Sequence, residues 1–119
     1  MTNKFWGYHL ILDCSGCNDN IKSKEEIETF TKTLIDMIGM VAHGEPIIEY
    51  LLEGTDNSGY SLMQMITTSN VCAHFVDKNN TAYIDIFSCK EFDNDVAERV
   101  VRTFFSPKSI RKTFLTRQA

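Results

Sequence analysis

Apolar residues in this chain recur with a period of two almost everywhere, and only two segments space them at threes and fours. A period of two puts alternate side chains on opposite faces of a strand, whereas steps of three and four stack them on one face of a helix. A chain with that bias must fold around a sheet. Residues 6–14 alternate, with Trp6, Tyr8, Leu10 and Leu12 on one face. Residues 47–53, 60–68 and 81–89 read as further strands, and 71–76 continues extended after Ser69. The tail "SIRKTFLTR", at 109–117, suits a last strand on an edge.

The first helical segment is "SKEEIETFTKTLIDMIGMV", residues 23–41. Ser23 and Glu26 stand at capping-box spacing, and Ile27, Phe30, Leu34, Ile38 and Val41 make one apolar stripe. Gly44 and Pro46 are the stop signals. Asp93 is placed to cap a second helix over 94–105, which would bury Val96, Ala97, Val100, Val101 and Phe104 before Pro107 ends it. The order β-α-β-β-β-α-β, without repeat or linker, predicts a single α+β domain over residues 1–119. It would be a two-layer sandwich, an antiparallel sheet with both helices on one face.

Charge and composition exclude some classes of function. Lysine plus arginine number 12 against 16 acidic residues, a net charge of −4 with no long basic run, which argues against a nucleic-acid footprint. The N-terminal "MTNKFWGYHLILDCSGC" is interrupted by Tyr8, His9 and Asp13, too short an apolar run for a signal peptide core or a membrane span. A cytoplasmic chain is expected, with Cys14, Cys17, Cys72 and Cys89 as reduced thiols.

Several residue clusters could carry chemistry. Cys14-Ser-Gly-Cys17 has C-x-x-C spacing, but Cys72 and Cys89 offer no second close pair for zinc. The pair also ends a strand rather than opening a helix, where a dipole would activate a thiol. No metal site is expected. His9 lies within a strand and His43 follows the first helix, both suited to structural or solvated roles. "MQMITTSNVCAHF" is different, because Thr67, Thr68, Ser69, Cys72 and His74 fall within eight residues.

Three stretches resemble, in order and spacing, the prokaryotic S-adenosylmethionine decarboxylase proenzymes, a pyruvoyl-dependent family: "GYHLILDCSGC" at 7–17, "GYSLMQMITTSNVCAH" at 59–74 and "AYIDIFSC" at 82–89. They match a first strand of the G-x-H-L-x-L type ending in G-C, an E-S-H-x-S-I-H segment and a D-V-F-x-C strand. The resemblance implies that Ser69 attacks the carbonyl of Thr68, that the chain splits between Thr68 and Ser69, and that a pyruvoyl group forms from Ser69. It implies that His74 assists processing, that Ser61 supports the processing intermediate, and that Cys89 returns a proton to the substrate carbon. The ketone so formed would accept the electrons released with CO₂, work that no ordinary side chain can do.

The resemblance also implies a homodimer with sites where protomers meet, S-adenosylmethionine as substrate and spermidine synthesis as the pathway. Phe5, Trp6 or residues 50–55 are the candidates to stack on the nucleoside. Departures from the pattern stand at Thr68 (for glutamate), Asn70 (for histidine) and Cys72 (for serine or threonine). His74-Phe-Val-Asp-Lys78 replaces H-T-W-P-E, which puts Val76 and Lys78 where an aromatic and a carboxylate would stand. Two alternatives follow from those departures. One is a pyruvoyl decarboxylase of ornithine or arginine, and the other is a non-catalytic homologue that binds and regulates a partner enzyme.

Overall fold

Six antiparallel strands form one sheet: β1 (Gly7–Ser15), β2 (Ile47–Leu51), β3 (Gly59–Ile66), β4 (Ser69–Val76), β5 (Thr81–Ser88) and β6 (Ser109–Arg117). Their order across the sheet is β2-β3-β4-β5-β1-β6. Helices α1 (Lys24–Met37) and α2 (Asn94–Phe105) complete the α+β sandwich, in a computed structural model that describes residues 4–119.

The alternation expected from the sequence becomes a two-sided sheet. Leu10 and Leu12 of β1, Leu62 of β3, Val71 and Phe75 of β4 and Ile84 and Ile86 of β5 are fully or almost fully buried. Ile27, Phe30 and Leu34 of α1 and Ala97, Val101 and Phe105 of α2 meet them. At the centre, the Phe105 ring lies 4.8 Å from Phe30 and 5.2 Å from Phe75, centroid to centroid. Apolar burial of this kind supplies roughly 25 cal/mol per Å² removed from water, so the sheet–helix layer is the main source of stability.

Both helix starts are capped at the residues their sequences predict, although the Ser23 N–H donates to the Asn20 carbonyl, so only half of the capping box forms. The Ser23 side chain accepts from the Glu26 N–H, and the Asp93 carboxylate accepts from the Asp95 and Val96 N–H groups. The end of α1 differs from expectation. Gly39 takes a φ of +73°, and the Met40 N–H returns to the Ile35 carbonyl, so the helix stops well before Gly44. Val41 is consequently exposed instead of extending the buried stripe. In α2 the buried aromatic is Phe105, with Phe104 only partly covered. Trp6 precedes β1 and is 57% exposed, off the core face that Tyr8, Leu10 and Leu12 share.

The larger difference is in the middle of the chain. Residues 60–76 do not run on as an extended stretch: Ile66 pairs with Ser69, and the chain reverses through the two residues Thr67 and Thr68. The sheet therefore has four strands between the helices where the sequence reading has three. The phase of burial betrays the turn, since Leu62, Gln64 and Ile66 are inward at even positions but Val71, Ala73 and Phe75 at odd ones. A two-residue hairpin resets the inward register in this way.

The face of the sheet away from the helices carries large apolar side chains in the open. Met63 is 61% and Met65 63% exposed, Ile47 is exposed opposite Met63, and Tyr83 and Leu115 are exposed farther across the same face. Among the described residues, no helix is long and apolar enough to cross a membrane.

Candidate functional site

The hairpin that joins β3 to β4 places Ser69 at its mouth, and the backbone there is unusual. Ser69 has a φ of +152°. A residue with a Cβ rarely occupies that region, at a cost of order 1–3 kcal/mol when it does. The surrounding structure holds it there from three sides. The Thr67 N–H donates to the Val41 carbonyl, the Cys89 N–H donates to the Thr68 carbonyl at 2.8 Å, and Ser69 pairs with Ser88 across β5.

This arrangement suits attack on the Thr68 carbonyl. A backbone N–H already aimed at the carbonyl oxygen is placed to stabilise the negative charge that would develop there. The Ser69 hydroxyl sits on the residue that follows that carbonyl, so a five-membered cyclic intermediate needs no other group to approach. Strain at Ser69 raises the energy of the intact bond, and release of the chain would relieve it. Cys89, half-buried, is joined to the same carbonyl through its own backbone.

A second polar pair lies at the other end of the hairpin. Ser61 and His74 face each other across β3 and β4, with Ser61 Oγ and His74 Nδ1 2.7 Å apart. His74 Nε2 lies 2.9 Å from the Asn57 carbonyl, which can only accept, so Nε2 carries the proton and Nδ1 accepts from the Ser61 hydroxyl. The imidazole is thus oriented at both nitrogens.

The structure brings Ser69 together with Thr68 and Cys89, and Ser61 together with His74. It does not unite the two groups within one chain. Five residues separate Ser69 from His74 along β4, about 16 Å at 3.3 Å per residue. Proximity in sequence misleads here, because an extended strand carries neighbours apart.

The remaining candidates fall elsewhere. Cys14 and Cys17 are free, buried and hydrogen-bonded to each other; that bond, then burial, pushes the Cys14 thiol up, while the same bond draws Cys17 down. Cys72 lies on the open face beside Asp85, and burial followed by that carboxylate raises its thiol. His9 Nε2 contacts Asp85 Oδ1 at 2.9 Å. His43 is exposed, with its N–H donating to the Met65 carbonyl. Val76 is buried, and Lys78 is engaged with Asp56 at 2.8 Å. Tyr50 donates its hydroxyl to Asp77 and packs edge-on against Tyr60. Phe5 packs edge-on against Tyr8. Among the described residues, no three His, Cys, Asp or Glu side chains gather as a metal site.

Trp6 and Phe87 line an open cleft of about 360 Å³ with Arg117, Gln118 and Ala119. The two rings lie 5.9 Å apart, and the Arg117 guanidinium sits 5.1 Å over the Phe87 ring. Phe87 immediately precedes Ser88 on β5, the cross-strand partner of Ser69, and points to the opposite face of the sheet from Ser88. Sequence spacing offered no sign of Phe87, Ser88 or Met40 as parts of this region, because β5 brings the first two and the loop after α1 brings the third.

Comparison with known proteins agrees with this architecture. The sequence profile of a family described as S-adenosylmethionine decarboxylase matches residues 8–118. The chain is 25% identical over 117 residues to an arginine decarboxylase proenzyme of Caldivirga maquilingensis, covering 95% of this chain and 84% of that protein. It also superimposes on the crystal structure of the adenosylmethionine decarboxylase from Aquifex aeolicus with a TM-score of 0.79. That match has 20% identity and covers 98% of this chain and 93% of the other.

Proposed function

The chain belongs to the S-adenosylmethionine decarboxylase family, and from that premise we propose that it is a self-processing decarboxylase of S-adenosylmethionine, supplying the aminopropyl donor for spermidine synthesis. The observation that carries this reading is the strained Ser69 with the Thr68 carbonyl held by the Cys89 N–H. The residues present fit the making of a pyruvoyl group. Ser69 Oγ attacks the Thr68 carbonyl carbon, and the amide nitrogen leaves to become an amine, so that the two are joined by an ester. Loss of a proton from the Ser69 α-carbon expels the Thr68 carboxylate. Water then replaces the nitrogen, which departs as ammonia, and residues 1–68 separate from 69–119.

The pyruvoyl group, once present, supplies the electron sink for decarboxylation. The chain's own residues do the rest. The Cys89 thiol is the acid that delivers a proton to the substrate carbon. The Trp6–Phe87 cleft offers aromatic faces to an adenine ring, and among the described residues no acidic side chain lines it to receive a guanidinium. These features favour the nucleoside substrate. A second reading, decarboxylation of arginine, draws on the name carried by the Caldivirga relative.

The distance between Ser69 and His74 supports a homodimer. Two copies stacked through the exposed face of Met63, Met65, Ile47 and Tyr83 would bury an apolar patch unusual for a monomer. In such a dimer, Ser61 and His74 of one copy would serve Ser69 of the other. The four free thiols agree with a reducing, cytoplasmic setting.

Two measurements test this function. Processed protein is expected to release CO₂ from S-adenosylmethionine far faster than from arginine or ornithine; the reverse order would transfer the assignment to the amino acid that wins. His74→Ala alone is expected to slow chain cleavage about a hundredfold, as loss of an acid–base group does. Mixed and refolded with Ser69→Ala, which keeps His74, it is expected to recover cleavage of its own Ser69. No recovery in verified mixed dimers would place the histidine's action within one chain.

A further inference from the structure

Thr67, Thr68 and Ser69 each carry a β-hydroxyl, and each hydroxyl could in principle attack the carbonyl before it. Attack by Ser69 splits the chain before residue 69 and leaves a pyruvoyl terminus. Attack by Thr68 on the Thr67 carbonyl, followed by the same elimination, uptake of water and loss of ammonia, would split it before residue 68. That product would begin with a 2-oxobutanoyl group. Something must decide between neighbouring nucleophiles of the same chemistry.

A buried chain of hydrogen bonds engages one of them. The Lys90 N–H donates to Ser88 Oγ at 3.0 Å, the Ser88 hydroxyl donates to Thr68 Oγ1 at 2.8 Å, and the Thr68 hydroxyl donates to Met40 Sδ at 3.3 Å. Ser88 also lies 3.7 Å from the same sulfur. Ser88 is completely buried and Met40 nearly so. Donors and acceptors are used in sequence, so the Thr68 hydroxyl has its proton committed to sulfur and a lone pair committed to Ser88. The next residue along, Cys89, holds the Thr68 carbonyl by its N–H, so one short segment grips Thr68 at side chain and backbone together.

We propose that Ser88 is a positioning residue that directs self-cleavage to Ser69, by withdrawing the Thr68 hydroxyl from attack while the adjoining Cys89 N–H fixes the Thr68 carbonyl. This inference rests on the self-processing reading above. It explains how threonine serves before the reactive serine: its hydroxyl becomes an anchor instead of a competitor.

The test follows freshly synthesised wild type, Ser88→Ala and Ser88→Thr by denatured intact mass against time. In Ser88→Ala the split before Ser69 is expected to slow about tenfold, as loss of a positioning hydrogen bond does. A second pair of fragments, 1–67 and 68–119, is expected beside the first. Ser88→Thr restores the hydroxyl and is expected to restore both rate and single position. Adding Thr68→Val to Ser88→Ala removes the competing hydroxyl and is expected to abolish the second pair. A general loss of packing would slow cleavage without moving it, so the position of the split is the telling readout. Should Ser88→Ala fail to fold, Met40→Leu conserves volume while removing the acceptor of the Thr68 proton, and it is expected to give the same second pair. Cleavage of Ser88→Ala solely before Ser69 at the wild-type rate would overturn the proposal and leave self-processing standing. A wild type that never splits would overturn both.

Discussion

Ser69→Ala is expected to remain a single chain of 13.6 kDa indefinitely and to release no CO₂ from S-adenosylmethionine above background. Alanine keeps the Cβ and every backbone contact of the hairpin but lacks the oxygen that forms the ester. Without the ester there is no leaving carboxylate, no split and no ketone, and enzymic accelerations of a millionfold or more vanish together. Denatured intact mass and trapped CO₂ read the two losses separately. A companion variant isolates the strain. Ser69→Gly also lacks the hydroxyl, yet glycine enters φ near +150° freely, so it is expected to be more stable than Ser69→Ala by about 1–3 kcal/mol. Equal denaturation midpoints for the two would show that the backbone at residue 69 stores nothing. A wild-type chain that itself stays whole would make Ser69 idle and leave the regulatory homologue as the better account.

The largest loss of stability is expected from Gly59→Ala, at the start of β3. A Cβ built at Gly59 lies 1.8 Å from the Phe75 carbonyl oxygen and 2.8 Å from its carbon, and the backbone φ is +159°. Those atoms belong to the backbone of β4, so no side chain can rotate aside. Relief requires β3 and β4 to part where Phe75 packs on Phe105 and where Ser61 meets His74. Overpacking a core typically costs 1–3 kcal/mol, and a clash against backbone belongs at or above the top of that range. Against a total of about 5–15 kcal/mol, the variant is expected to melt roughly 10–15 °C lower or to be recovered unfolded. A melting temperature within 2 °C of wild type would mean that the strands do not approach so closely at Gly59. Cleavage should fall with folding, whereas in Ser69→Ala it is lost with the fold intact.

The layers of the fold were legible because burial imposes periodicity on the sequence. Tyr8, Leu10 and Leu12 on one strand face and Ile27, Phe30 and Leu34 on one helix stripe are all buried as their spacing requires. The caps at Ser23 and Asp93 were legible for a similar reason, since each is a local contact within three residues. The turn at Thr67 and Thr68 was harder to read. Neither residue is a usual turn former, and its signal is a change in the phase of burial that appears once both flanking strands are paired.

The site divides along the same line. The sequence by itself determined which groups are present: a serine after a carbonyl, a histidine, a second serine and a thiol, each at a spacing that resembles one family. It determined the two layers too, because side-chain periodicity is a property of the chain alone. Only the tertiary structure decided the neighbourhoods. It joined the Thr68 carbonyl to Cys89, threaded Thr68 between Ser88 and Met40, and stretched β4 so that His74 stands a strand's length from Ser69. Tertiary packing brings residues 20 and 48 positions apart into contact, and an extended strand carries residues five apart out of reach. That is geometry a linear spacing does not contain.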